Sequence, residues 1–189
     1  MTSSGSRSGI LFVVSAPSGT GKSSVSRKLL ESDGELEFSV SYTTRAPRAG
    51  DELEDNYYFI DEAAYRRMVE DGAFIEHKDY LFGMSYGLPH RETAELLARH
   101  DWVLALINLG RFGVVKRDLP DALGVLITVP VQTVERRLRK RGTSNEEQIA
   151  ERLENARLSF AYAPDYDLVV DNDDGRLDQA VARIRGFLD

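Results

Sequence analysis

The chain has 189 residues, 24 Lys and Arg against 31 Asp and Glu, a net charge of −7 and no cysteine. This length fits one domain, or one domain with inserts, large enough to bury about 70% of its unfolded surface. The missing thiols exclude disulfides, thiolate metal sites and a cysteine nucleophile, and the acidic balance argues against nucleic acid, so an anionic ligand needs a local basic patch.

Residues 1–9 are Ser- and Gly-rich without an apolar core and are expected to be a disordered terminus rather than a signal peptide. No apolar run approaches the roughly 18 residues a membrane span needs. His77, His90 and His100 are scattered. The absence of thiols suits a reducing cytosol, so a cytoplasmic location is expected.

Ile10 to Val14 is a continuous, largely β-branched apolar run, as a central parallel strand buried on both faces requires. It breaks into Ala16-Pro17-Ser18-Gly19-Thr20-Gly21-Lys22-Ser23, the phosphate-loop pattern GxxxxGK[ST] with Ala at the first position, and a helical pattern follows at once. Strand, loop and helix in this order predict that the Ser18, Gly19, Thr20 and Gly21 backbone, with Ser24 opening the helix, cradles the phosphates of ATP. Lys22 then reaches the transferred group and the Ser23 hydroxyl holds Mg²⁺.

The helix is expected to end near Ser32-Asp33-Gly34, and a short strand follows over Phe38 to Ser41. The loop Thr43 to Gly50 carries Arg45 and Arg48 beside Pro and Gly; taken alone, it reads as a solvated surface turn. A short amphipathic helix is predicted over about Asp61 to Asp71, then small strands at Ala73 to Ile75 and Tyr86 to Leu88 around Gly83. A helix from His90 to His100 leads to a second apolar strand, Trp102 to Ile107, and a crossover helix over Gly110 to Leu119 leads to a third, Gly124 to Val129. Pro130 to Arg141 reads as a basic helix, broken by Gly142-Thr143-Ser144. Ser144 or Asn145 caps the next, which runs to about Tyr162, before a strand at Leu168 to Val170 and a closing helix over Leu177 to Leu188.

Buried strands alternating with helices predict an α/β fold: a doubly wound, five-stranded parallel sheet with a P-loop NTPase core and the ligand at the strand C-terminal ends. Residues 10–38, 95–140 and 158–189 form that core. Residues 39–94 form an acceptor-binding insert and residues 141–157 a lid, an arrangement suited to closing over two phosphorylated ligands and excluding water.

These motifs, in this order, resemble guanylate kinase. The resemblance covers nearly everything from Ile10 onward and includes Ser39 to Gly50, Tyr57, Phe74-Ile75-Glu76-His77, Arg141-Gly142-Thr143 and Asn172-Asp173-Asp174. It implies Mg²⁺-dependent transfer of the ATP γ-phosphoryl group to GMP. By the same resemblance Arg45, Arg48, Tyr57 and Tyr86 bind the acceptor phosphate, and Ser41 and Glu76 contact the guanine. Lys22, Arg137, Arg141 and Arg152 serve the transferring group, and Asn172 lies near the adenine. Arg forks suit phosphate, and a carboxylate suits the two N–H donors of the guanine edge. For Arg136 and Arg139 a solvated helix face stands beside a role in transfer. A homodimer is among the expected assemblies.

The chain also departs from the family. Where the family carries Asp-x-Asp and then Gln-Gly, this chain has Leu106-Ile107-Asn108-Leu109-Gly110-Arg111, so Asn108 offers the acceptor site an amide. Leu88 replaces a hydroxyl that meets the base carbonyl. Two other readings stay open on these residues: a related kinase for another phosphorylated acceptor, such as a modified nucleotide or ribose 1,5-bisphosphate, and an inactive binding module. Restoring Leu88→Thr with Asn108→Asp is expected to improve use of GMP about ten- to a hundredfold.

Overall fold

The computed structural model describes residues 9–32, 34–47, 57–79, 83–142 and 144–188. In chain order the elements are β1 (Ile10–Ser15), α1 (Lys22–Ser32), β2 (Leu36–Ser39), β3 (Ser41–Thr43), β4 (Tyr57–Phe59), α2 (Glu62–Glu70), β5 (Phe74–Asp79), β6 (Ser85–Pro89) and α3 (His90–Leu97). They continue with β7 (Trp102–Ile107), α4 (Phe112–Asp118), β8 (Leu123–Thr128), α5 (Val131–Arg141), α6 (Glu146–Ser159), a 3₁₀ helix (Phe160–Asp165), β9 (Leu168–Asp171) and α7 (Leu177–Leu188). Among the described residues no helix is long and apolar enough to cross a membrane.

The first sheet has strand order β2-β7-β1-β8-β9, and every pairing in it is parallel. The sheet explains why β1 is apolar at successive positions. Successive side chains leave a strand on opposite faces. Phe12 and Val14 pack with Val25 and Leu29 of α1 and Ile184 of α7, while Leu11 and Val13 pack with Phe112 and Val115 of α4. With both faces covered, a polar residue in this strand would have no water to turn to. Burying each such side chain is worth about 1.5–3 kcal/mol.

A second sheet has order β4-β3-β6-β5, with β5 and β6 antiparallel and a register shift between Phe74 and Glu76. It is anchored to the first through Ile75 and Leu88, which join the α4-side core. This anchoring brings Glu76, beside Ile75, to the C-terminal end of β7.

The expected single strand over Phe38 to Ser41 is two strands that part at Val40. Ser39 pairs with Ala105 of β7, and Ser41 pairs with Tyr57 of β4. Period-two alternation runs straight through Val40, so local pattern could not reveal that the chain changes sheets there. The helix after Asn145 ends at Ser159 and passes into the 3₁₀ turn that contains Pro164, a residue that cannot continue an α-helix. Its start is set by a capping box, Asn145 accepting from the Gln148 N–H at 2.9 Å while the Gln148 side chain accepts from the Asn145 N–H. Gly142 ends α5 with φ 67°, a left-handed cap that costs glycine little.

Candidate active site

The loop after β1 is held by its own hydrogen bonds. Thr20 is buried and its Oγ1 donates to the Pro17 carbonyl at 2.8 Å, while Gly19 and Gly21 take φ of 88° and 86°. Glycine is the residue that adopts these angles without a Cβ penalty. Ser23 and Ser24 lie exposed in the first turn of α1, where unpaired N–H groups and the positive end of the helix dipole favour an anion. The Lys22 ammonium donates to the Ile107 carbonyl at 3.3 Å, at the end of β7. Burial lowers its pKa to about 8, opposed by the negative charge of Glu76.

Two long-range contacts brace this loop from β9 and α5. Asn172, buried just after β9, donates from Nδ2 to the Thr20 carbonyl at 2.8 Å. Arg137 of α5 donates to the Asn172 carbonyl at 2.9 Å, to Asp174 at 2.9 and 3.1 Å, and to the Gly19 carbonyl at 3.5 Å. Hydrogen bonds from Arg137 and Arg136 hold the Asp174 carboxyl below the usual carboxylate range. Arg152 of α6 donates to Ser18 Oγ at 3.1 Å, and Arg141 stands exposed at the end of α5. The two basic residues with an alternative reading are engaged in surface ion pairs, Arg136 with Asp174, and Arg139 with Glu135 and Glu146. Helix α6 reaches this position because Ile149 and Ala156 pack on Val134 and Leu138 of α5.

Between the loop, the second sheet and α6 lies a cavity of about 300 Å³, lined by Ser18 and Asn108 from the core, Tyr57, Lys78 and Tyr86 from the sheet, and Arg152 from α6. Arg45, only 8% exposed, donates to the Ala46 carbonyl at 2.9 Å and lies 5.7 Å from the Tyr57 ring centroid. Tyr57 and Tyr86 meet edge to face at 5.5 Å, and Ser41 is buried on β3. Arg48, also expected at the acceptor phosphate, lies outside the described residues.

Glu76 is 2% exposed, with hydrogen bonds at one carboxylate oxygen and a cation near the other. Asn108 donates to Oε1 from its side chain at 3.2 Å and from its backbone at 3.4 Å, and Arg111 Nε stands 3.5 Å from Oε2. Burial pushes the Glu76 pKa up. The Asn108 backbone N–H, then the charges of Arg111 and Lys22, pull the other way. Leu88 lies directly across the β5 to β6 pair from Glu76, fully buried, and Leu106 belongs to the core cluster beside α1.

Sequence reasoning assigned no role to Lys78 or Arg111. Lys78 had a usable signal, because two residues beyond Glu76 on a strand means the same face. For Arg111 there was none, since its meeting with Glu76 spans two sheets.

A phosphate loop at the head of a parallel sheet, with Tyr57, Lys78 and Tyr86 of a second sheet across one cavity, defines an α/β phosphotransferase of the P-loop NTPase fold. The sequence model described as guanylate kinase matches residues 8–189. The guanylate kinase of Oleidesulfovibrio alaskensis is 42% identical over 95% of this chain and 86% of the relative, and that of Sphingopyxis alaskensis 41% over 88% and 76%. A crystal structure of guanylate kinase from Anaplasma phagocytophilum superposes with a TM-score of 0.75 at 29% identity, covering 96% of this chain and 85% of that one. The chain belongs to the guanylate kinase family and is a phosphotransferase.

Proposed function

We propose that the chain transfers the γ-phosphoryl group of ATP to GMP, giving ADP and GDP. The observation that carries this reading is the buried Glu76 carboxylate, one hydrogen bond behind Asn108 at the wall of the cavity shared with the phosphate loop. Guanine presents two adjacent N–H donors, and an acceptor-only carboxylate matches them, whereas the adenine edge presents a donor beside an acceptor. The relatives described above are named guanylate kinase.

In this reading a GMP phosphate oxygen attacks the γ-phosphorus as the bond to the β-bridging oxygen breaks, and no protein nucleophile is needed. Ser18, Gly19, Thr20, Gly21 and Ser24 hold the donor phosphates, and Lys22, Arg137, Arg141 and Arg152 oppose the charge spreading over the transferred group. Arg45, Arg48, Tyr57 and Tyr86 hold the acceptor phosphate, with Ser41 and Asn108 beside the base and Asn172 near the adenine. The Mg²⁺ arrives with ATP. Among the described residues no group of three or more acidic or imidazole side chains could hold a metal. The exposed Ser23 hydroxyl fits an ion whose other ligands are phosphates and water. When bound, Mg²⁺ supplies charge neutralisation across the phosphates.

The reading assigns the insert of residues 39–94 to the acceptor and the segment 141–157 to a lid that closes over both ligands, in the cytoplasm where ATP is abundant. ADP formation with MgATP and a panel of GMP, IMP, AMP, CMP and UMP tests it. GMP is expected to give the highest kcat/KM. A higher value for another monophosphate overturns the reading.

A further inference from the structure

We propose that Arg111 is a positioning residue for base recognition: with Asn108 it fixes the Glu76 carboxylate at the seam between the two sheets, behind the cavity wall, so that the carboxylate is held for the N1–H and 2-amino donors of the acceptor's purine. This rests on the GMP reading above and adds to it a residue for which the resemblance supplies no role.

The grip is built by one turn. The Arg111 N–H donates to the Asn108 carbonyl at 3.1 Å, closing a tight bend between β7 and α4. That bend sends both side chains to the same carboxylate, Asn108 to Oε1 and Arg111 to Oε2. The carboxylate itself comes from β5 of the other sheet, so the contact spans the seam between the two sheets that flank the cavity. Glu76 Oε2 and Arg111 Nε are both buried, and at 3.5 Å neither completes a hydrogen bond with the other. A carboxylate has about four lone-pair sites, and Asn108 uses those of Oε1. Oε2 is therefore a buried acceptor whose hydrogen-bonding capacity is unused, with the Arg111 guanidinium supplying charge 3.5 Å away.

Burial explains why a cation is wanted there. A carboxylate 2% exposed pays heavily for its charge unless cations and donors surround it. The groups facing Glu76 are Lys22 at the start of α1, Asn108 and Arg111 after β7, Lys78 on its own strand, Tyr65 of α2 and Tyr166 before β9. Lys22 is committed to the phosphate loop. Arg111, with its side chain 32% exposed, is the cation placed to serve the carboxylate without occupying the cavity.

The test is steady-state kinetics of the full chain with GMP and with IMP, which lacks the 2-amino group, across pH. Arg111→Met is expected to raise KM for GMP about tenfold with kcat and KM for ATP within about twofold, and to narrow the preference for GMP over IMP. Losing the cation favours protonated Glu76, so the acid limb of kcat/KM for GMP moves to higher pH. Arg111→Lys restores most of both. Arg111→Gln, which keeps donors without charge, gives an independent readout if the Met variant does not fold, and it also shifts the limb upward. An unchanged acid limb and KM for GMP in these variants, or parallel losses in kcat and KM for ATP, overturns the proposal while leaving the GMP reading intact. A parent enzyme that prefers another monophosphate overturns both.

Discussion

The Asn172 side-chain amide donates to the Thr20 carbonyl at 2.8 Å, tying the end of β9 to the phosphate loop. A Cβ on Gly21 would stand 2.6 Å from that same amide nitrogen, at a backbone φ of 86°. Gly21→Ala therefore meets two penalties, about 1–2 kcal/mol for the left-handed backbone and a clash with a buried, hydrogen-bonded side chain. We expect ADP formation to fall by about a hundredfold or more. Asn172→Ala, which removes the brace but relieves nothing, is expected to raise KM for ATP severalfold with the fold retained. A Gly21→Ala enzyme with parental kcat/KM for ATP would remove this account of the loop.

Lys22→Ala deletes a charge that reaches from the loop to the end of β7 and that burial has partly desolvated. The expected loss is on the order of a hundredfold in kcat, about 2.7 kcal/mol of transition-state stabilisation. Single-turnover measurements with saturating GMP and MgATP check it, and a parental rate would sink the assignment.

Glu76→Gln separates stability from activity. Burial raises the Glu76 pKa above its unfolded value, so the ionised form costs folding free energy once pH exceeds the ordinary carboxylate pKa. The Gln variant is therefore expected to melt at a higher temperature than the parent near neutral pH. The difference should shrink as pH falls and vanish below about 4, where Glu becomes protonated in the unfolded state as well. Its KM for GMP should rise at least tenfold. Calorimetry at several pH values decides the first point, and a melting difference that grows on acidification would contradict it.

The sequence alone favoured restoring Asn108→Asp together with Leu88→Thr, and the contact between Asn108 and Glu76 gives a reason to test the two substitutions separately. Asn108 donates to Glu76 from its side chain at 3.2 Å. An Asp there would replace that side-chain donor with a second carboxylate, leaving the backbone N–H of residue 108 and the Arg111 cation to offset the repulsion, which favours protonation of the pair. We expect Asn108→Asp alone to lower kcat/KM for GMP by about tenfold. Leu88→Thr alone, across the strand pair from Glu76, should raise it where the new hydroxyl meets the base carbonyl, at some cost in core packing. An Asn108→Asp enzyme that gains activity on GMP refutes this reading of the amide.

The phosphate loop, the parallel sheet and the basic helix were legible because each is written in consecutive residues. Ile10 to Val14 had to be buried on both faces, the Gly-rich loop had to follow at once, and Ser144 or Asn145 had to cap a helix. What only the tertiary structure decided lies between distant residues. Val40 divides two sheets without breaking the alternation that runs through it. Asn172 after β9 and Arg137 of α5 brace the loop, and Glu76 of one sheet meets Asn108 and Arg111 at the end of the other. Local propensity and periodicity report a residue's own backbone and the face it presents. The cost of a buried charge depends on which groups the folded chain brings within a few ångströms, and that is set by the packing of one sheet against another.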